Sequence, residues 1–170
     1  EVDSDLLSWI NPVYLSFAAS DLVSLTLKNA NGEFVLTQDA QGAWQLAGLE
    51  EGETLDQAKA TSLVNAVSSL SMTQPLGTTE DPAWGLADPA AVATMQVKDG
   101  DQTRTITLTI GAQDPDDQSF VVKSSDSTFF ARVADYAVQE LVQRDLAGFF
   151  ALERHLGDVL QRAVDLVPEA

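Results

Sequence analysis

Apolar and polar residues alternate along several short stretches of the chain, and each such stretch predicts a β-strand with one buried face. In the stretch 21–29, Leu25 and Leu27 share one face, whereas Ser24 and Thr26 share the other. Turn-forming residues then lead into a second alternating stretch, and the two stretches with their turn predict a β-hairpin. The same reasoning predicts further strands at 13–17, 33–38, 43–47, 92–98, 103–110, 119–123 and 128–133.

Apolar residues recur at helical spacing in two stretches, which predict helices at 55–71 and 134–147. Thr54 and Gln57 precede the apolar run of the first helix in the arrangement of a capping box, in which each side chain bonds a backbone N–H of the other residue. A further amphipathic pattern predicts an extra C-terminal helix at 149–165.

Strands followed by a helix occur twice, in residues 17–76 and 90–150, with 77–89 joining them. This order predicts an α+β fold with a mainly antiparallel sheet and helices packed on it. We therefore expect residues 1–170 to form one compact domain built of two related halves, each a β-meander followed by a helix.

A shift of seventy positions supports the internal repeat. It places Lys28 on Lys98 and Asn29 on Asp99, at corresponding points of the two predicted hairpins. Few other identities survive, so the order of the patterns, more than residue matches, indicates a duplication.

The segment 77–89 has the composition of a turn. Pro82 and Pro89 bias the residues before them away from helix, and Gly85 can adopt a positive φ. We expect Trp84 to be buried there and to tie the two halves to a shared core.

Composition restricts the partners. The 170 residues include 26 Asp and Glu against 9 Lys and Arg, which gives a net charge of −17 and a pI near 4.1. That charge opposes binding to nucleic acid, and it indicates either simple solubility or a basic partner or cation. The chain has no cysteine, which excludes disulfides and thiolate chemistry.

The sequence contains no run long enough to span a membrane and no secretory signal pattern, so we expect no membrane insertion by this chain. Its acidic beginning, Glu1-Val2-Asp3, would also suit a fragment of a longer protein.

Catalytic motifs are missing. The only histidine, His155, lies in the polar part of the C-terminal amphipathic pattern, and no glycine-flanked serine accompanies it. The glycines are scattered, so no phosphate-binding loop is present either. The sequence therefore indicates no catalytic residue and no cofactor.

Asp114, Asp116 and Asp117 form the densest group of carboxylates, with Asp99 and Asp101 in a neighbouring predicted turn. Calcium prefers such oxygen ligands, which makes the first three aspartates weak candidates for a metal site. Asp-Pro-Asp is also an ordinary turn sequence and the EF-hand spacing is absent, so we expect no metal there.

Five motifs occur in an order that resembles a bacterial family, the domain of unknown function numbered 4340. They are Phe17-x-x-x-Asp21-Leu22-Val23-Ser24-Leu25-Thr26-Leu27, Gly42-x-Trp44-x-Leu46, Asp56-Gln57-Ala58-Lys59, Trp84-Gly85-Leu86-x-Asp88-Pro89 and Leu108-x-Ile110-Gly111. The resemblance covers residues 17–150, and Trp84 stands where the family more often has tyrosine.

The resemblance implies an extracytoplasmic domain that is anchored by an N-terminal membrane segment absent from this chain. It also implies a link to accessory components of gliding-type transporters, but it brings no activity. We therefore expect a non-catalytic binding or scaffolding module with a protein or cell-envelope partner. The alternative is a carboxylate- or cation-dependent enzyme acting on an envelope substrate, and small-ligand binding also stays open.

Overall fold

The computed structural model describes residues 11–49 and 53–150. Ten strands and two helices account for most of them, and short 3-10 turns lie at Ala19–Asp21, Pro82–Trp84 and Ala147–Phe149. In chain order the elements are β1 (Val13–Ser16), β2 (Leu22–Asn29), β3 (Gly32–Gln38), β4 (Trp44–Leu46), α1 (Gln57–Ser68), β5 (Ser69–Ser71), β6 (Gln74–Gly77), β7 (Ala91–Asp99), β8 (Gln102–Gln113), β9 (Phe120–Ser124), β10 (Phe130–Val133) and α2 (Asp135–Gln143).

Eight of the strands form one antiparallel sheet in the order β4-β3-β2-β7-β8-β9-β10-β6, and β1 pairs separately with β5. This confirms the predicted α+β class. The pairing of β2 with β7 joins the two predicted halves into a single sheet, with Leu25 opposite Met95 and Leu27 opposite Ala93.

The core lies between one face of this sheet and the two helices. Leu25, Leu27 and Met95 are fully buried, as are Leu63 of α1 and Leu141 of α2. Burying a leucine side chain contributes about 1.5–3 kcal/mol, so the helix anchors hold the layers together mainly through the hydrophobic effect.

The β2–β3 and β7–β8 hairpins close at equivalent positions. Asn29 pairs with Gly32 in the first hairpin, and Asp99 pairs with Gln102 in the second, so the predicted shift of seventy residues superposes the closing pairs. Gly32, at a φ of +143°, adopts a backbone conformation that other residues rarely take. The common origin of the halves itself remains a hypothesis.

Both helices are shorter than predicted. α1 ends at Ser68 because residues 69–71 leave the helix to pair with β1, with Leu70 buried and opposite Leu15. α2 ends at Gln143, four residues before the predicted end at 147. Helical spacing misplaced the end of α1 because a buried leucine satisfies the apolar pattern in a strand as well as in a helix. At the end of α2, Leu146 fits the helical spacing but is exposed.

The capping-box prediction is wrong. α1 is capped by Asp56, whose Oδ1 accepts hydrogen bonds from the backbone N–H groups of Ala58 and Lys59. Gln57 instead turns to β4, where its Oε1 accepts from the N–H of Trp44 at 2.9 Å and its Nε2 donates to the carbonyl of Trp44 at 2.8 Å. A side-chain amide thus closes one edge of the sheet.

The other edge strand, β6, was not predicted. It comes from the end of the first predicted half, yet it pairs with β10 of the second. Pro75 is compatible with this position because proline lacks the N–H donor that an interior strand needs.

The predicted C-terminal helix at 149–165 lies outside the described residues beyond Phe150, as does His155.

Candidate functional site

Over β2, β3, β7 and most of β8, the second face of the sheet carries no described helix, and its side chains are partly or fully exposed. Val121 of β9 lies on the same face but is buried. This exposed surface is built from the residues that alternate with the buried positions of the central strands. We call this surface the open face. Its members are Ser24, Thr26, Lys28, Glu33, Val35, Thr37, Val92, Thr94, Gln96, Lys98, Thr103, Thr105, Thr107, Thr109 and Lys123.

Strand register arranges the open face in transverse rows. Val35, Thr26, Thr94 and Thr107 follow one another across β3, β2, β7 and β8. Neighbouring strands lie about 4.8 Å apart, so each row presents methyl and hydroxyl groups at close, regular intervals.

The next row along the open face is likewise uncharged, and all its side chains are polar. Thr37, Ser24, Gln96 and Thr105 lie opposite one another in register. Gln96 Nε2 donates to Thr105 Oγ1 at 2.9 Å, which holds both side chains in place on the surface.

The charge of the open face differs from that of the whole chain. Lys28, Lys98, Lys123 and Glu33 are its charged members, in a protein with a net charge of −17. Lys123 is engaged, because its Nζ donates to the carbonyl of Ser124 at 2.8 Å and to that of Ser127. The described acidic residues instead concentrate in turns, loops and helix ends.

The joining segment packs against the sheet beside the open face. The Trp84 ring lies 5.2 Å from the Phe130 ring, and the Trp84 carbonyl lies so close to Gly111 that a Cβ at that glycine would be only 2.1 Å away. Trp84 is only partly buried, so the prediction that it would be a buried link between the halves is wrong. Phe130 and Gly111 both belong to the second half.

The loop that contains Asp114, Asp116 and Asp117, which we call the acidic loop, is held in place by an arginine from a neighbouring strand. Arg132 of β10 donates through Nη1 to Asp114 Oδ2 at 2.7 Å and to Ser119 Oγ at 2.7 Å, and it lies 3.5 Å from Asp117 Oδ1. Asp116 is exposed, and its N–H donates to Asp114 Oδ1 at 3.0 Å. The three candidate metal ligands therefore do not converge.

Hydrogen bonds lower the pKa of both paired aspartates. The bond from Arg132 is the main cause of the lowered pKa of Asp114, and the bond from the Ser119 hydroxyl, at 2.5 Å, is the main cause for the pKa of Asp117. Both carboxyl groups are ionised at neutral pH and act as acceptors that hold the loop.

The expectation that Asp99 and Asp101 lie near the acidic loop is also wrong. Their turn lies at one end of β8 and the acidic loop at the other. A strand of that length spans roughly 35 Å, so the two acidic groups cannot share an ion. Within residues 11–49 and 53–150, no group of three or more histidine, cysteine or acidic side chains could hold a metal.

Sequence reasoning missed an open pocket of about 350 Å³ beside the end of α2, lined by Gln139, Glu140, Gln143, Arg144, Asp145 and Gly148. Its central side chain is Arg144, which is only 8% exposed. Arg144 donates to Glu140 and to the Gly148 carbonyl at 2.7 Å, and it lies over the Phe149 ring. The spacing of Glu140 and Arg144, one helical turn apart, was the available signal.

The fold defines an α+β protein whose antiparallel sheet has one helix-covered face and one open face. Comparison with protein-family models, curated proteins and solved structures gives no match. The resemblance to domain-of-unknown-function family 4340 therefore stays a prediction. In the described part of the chain, neither helix has the length and apolar character required to cross a membrane.

Proposed function

We propose that the protein is a non-catalytic binding or scaffolding module that works outside the cytoplasm, and that the open face is its binding surface. The observation that carries this proposal is a broad exposed sheet face on a highly acidic protein, in which two neighbouring rows of mostly hydroxyl and amide side chains contain no charged residue. Depletion of charge is characteristic of the centre of protein interfaces.

The face supports this role better than the sheet edges do. The outward backbone groups of Trp44 on β4 are already bonded to Gln57, and β6 is a short strand containing Pro75. Strand addition needs a free row of backbone donors and acceptors, so both edges are poor docking sites for an added strand.

The side chains of the open face suit a specific but modest interface. Threonine and serine have few rotatable bonds, so their ordering on binding costs little entropy. Their hydroxyl groups can exchange water for a partner's polar groups, and the threonine methyl groups with Val35 and Val92 supply apolar area. The partner that we propose is a protein or another component of the cell envelope, and the module would be an accessory of a transporter or envelope complex.

The enzyme alternative has less support. Asp114 and Asp117 are held by Arg132 and Ser119, and their lowered pKa makes them weak bases near neutral pH. General acid–base catalysis at neutral pH usually requires a carboxyl pKa that is raised toward the working pH.

Site-specific photo-crosslinking in the native envelope tests the proposed surface. A photoreactive residue at Thr107, on the open face, should capture a partner, whereas the same residue at exposed Ser62 of α1 should not. Thr94→Glu should then weaken capture without lowering the urea midpoint. Capture from Ser62 alone, or capture from Thr107 that Thr94→Glu leaves unchanged, would contradict the proposal.

Location can be tested separately because this chain has no cysteine. Thr105→Cys places a single thiol on an exposed position of the open face. A membrane-impermeant thiol reagent should label that thiol in intact cells if the module is extracytoplasmic. Labelling only after lysis would refute the location and leave the surface proposal to the crosslinking result.

A further inference from the structure

The C-terminal end of α2 is capped by a hairpin from the other half of the chain. Asn29 Nδ2 donates to the carbonyls of Leu141 and Arg144, both at 2.9 Å. Asn31 Nδ2 donates to the carbonyls of Gln143 at 3.1 Å and Arg144 at 3.4 Å. These bonds satisfy carbonyls that the end of a helix leaves without partners.

The residue after Asn31 is Gly32, and of the four asparagines in the sequence only Asn31 precedes a glycine. Glycine lacks the Cβ that shields a backbone nitrogen from the preceding side chain, and Asn31 is exposed at the tip of the hairpin. Asparagine is one of the chemically labile residues of proteins.

We propose that Asn31 is a deamidation site and that its modification releases the C-terminal end of α2. The backbone nitrogen of Gly32 attacks Cγ of Asn31 and loses its proton as the new C–N bond forms. The side-chain nitrogen leaves as ammonia. Water then opens the resulting cyclic imide at one of its two carbonyls, which gives either aspartate or isoaspartate. Water is the only co-reactant, and no oxidation or reduction occurs.

The leaving nitrogen is the atom that caps the helix, which links the reaction to docking. While Asn31 Nδ2 is bonded to Gln143 and Arg144, the side chain cannot rotate freely to bring its Cγ to the backbone nitrogen of Gly32. The hairpin must therefore lift from α2 before the ring can close, so the rate of deamidation depends on how often this contact opens.

The product cannot restore the contact. An ionised carboxylate only accepts hydrogen bonds, so it cannot donate to the two carbonyls. It also places negative charge at the negative end of the helix dipole. The isoaspartate product further lengthens the backbone of the turn by one carbon atom. Both products leave the last turn of α2 less tightly held, so the modification can only loosen this end of the helix.

The test is incubation of the folded chain at mildly alkaline pH, followed by peptide mass spectrometry. Deamidation at Asn31 should exceed that at exposed Asn65, which precedes Ala66. Asn29→Ala removes the neighbouring cap and should accelerate modification of Asn31 several-fold. If Asn31 reacts no faster than Asn65 in the folded chain, the proposal that Asn31 is a deamidation site is wrong. If Asn29→Ala does not change the rate at Asn31, the proposed link to docking is wrong.

The consequence is tested with the product itself. Asn31→Asp should increase hydrogen exchange of the backbone amides at 141–144 by roughly tenfold, as expected when a helix end loses its capping bonds. Asn65→Asp, on the exposed side of α1, is the matched control and should leave those amides unchanged. Unchanged exchange in Asn31→Asp would show that deamidation does not release α2.

Discussion

The two predicted halves of the molecule differ in their strands and in how they anchor their helices. The first has β2, β3 and β4 before α1 and two short strands after it, whereas the second has four strands before α2. α1 has twelve residues, buries Leu63, Val64 and Val67, and is capped by the side chain of Asp56. α2 has nine residues, buries Val138 and Leu141, and has no side-chain hydrogen bond at its N-cap. The second helix therefore has fewer contacts of its own and depends more on neighbouring segments.

The first half supplies what the second half lacks. Asn29 and Asn31 cap the end of α2, and β6 adds the last strand beside β10. Tyr14 of β1, which precedes the first half, also bonds to the second half, since its hydroxyl donates to the Phe129 carbonyl at 2.8 Å and accepts from the Ser124 N–H at 3.0 Å. These contacts show that the two predicted halves are not independent units.

The two tryptophans of the described chain give the largest expected contrast. Trp44 of the first half is 6% exposed, whereas Trp84 is only partly buried. Trp44→Ala should cost about 3–5 kcal/mol of unfolding free energy because it leaves a core cavity. Trp84→Ala should cost roughly 1–3 kcal/mol, since less apolar area is lost. Urea unfolding measures both, and equal costs would mean that the joining segment is as central as β4.

Truncating one buried leucine in each helix should show whether that helix contributes to global or only to local stability. Leu63→Ala and Leu141→Ala remove the same atoms from fully buried positions, and each should cost about 2–5 kcal/mol locally. We expect Leu63→Ala to lower the urea midpoint more, because α2 can detach as a smaller unit. Ser62→Ala, on the exposed side of α1, is the control. A larger midpoint shift for Leu141→Ala would show that global stability depends more on α2 than on α1.

Asn29 and Asp99 occupy equivalent positions in the two hairpins, so giving each the other's residue compares the two turns. Asn29→Asp gives the first hairpin the carboxylate that Asp99 already carries, and it should destabilise the fold by about 1–3 kcal/mol through the loss of two donors to α2. Asp99→Asn changes an exposed side chain, so its effect should be within about 0.5 kcal/mol. Thermal unfolding of the pair measures the asymmetry, and equal effects would remove it.

The smallest effect concerns the acidic loop of the second half. The folded-state pKa values of Asp114 and Asp117 lie below the unfolded value of about 3.9. Their contribution to stability is therefore complete above that value, and it is lost as the pH falls through the folded pKa values. Both groups are solvent-accessible, so screening keeps the contribution small.

Asp114→Asn should weaken this acid-dependent loss, because the bond to Arg132 no longer depends on ionisation. Asp116→Asn leaves the bonds of Arg132 in place and is the matched control. Urea midpoints measured from neutral pH to about pH 3 compare the two variants. An unchanged acid profile for Asp114→Asn would show that the loop does not contribute through this pair.

The strand pattern of the fold could be predicted from the sequence because each strand has one buried face. Leu25 and Leu27 alternate with polar residues, and so do Ile106 and Leu108, which gives a period of two that few other structures produce. Element ends were predicted less well. Leu70 satisfied a helical period although it lies in β5, since only the pairing with Leu15 decides its conformation.

The residues around the acidic loop show more clearly what the sequence could not predict. The sequence identifies Asp114, Asp116 and Asp117 as neighbours, but Arg132 lies 15 or more residues away along the chain and meets them only through the pairing of β9 with β10. Gln57 has the spacing of a capping residue, yet its amide bonds the backbone of Trp44. Local patterns carry no information on such partners.

By itself the sequence determined the α+β class, the alternating strands, the acidic charge and the absence of cysteine chemistry, because these depend on residue type and local period. The tertiary structure alone decided that residues 74–77 complete the sheet of the second half, that Asn29 and Asn31 cap α2, and that one face of the sheet stays open. These features depend on contacts between segments distant in the chain, whose free energy arises only when both sides are in place.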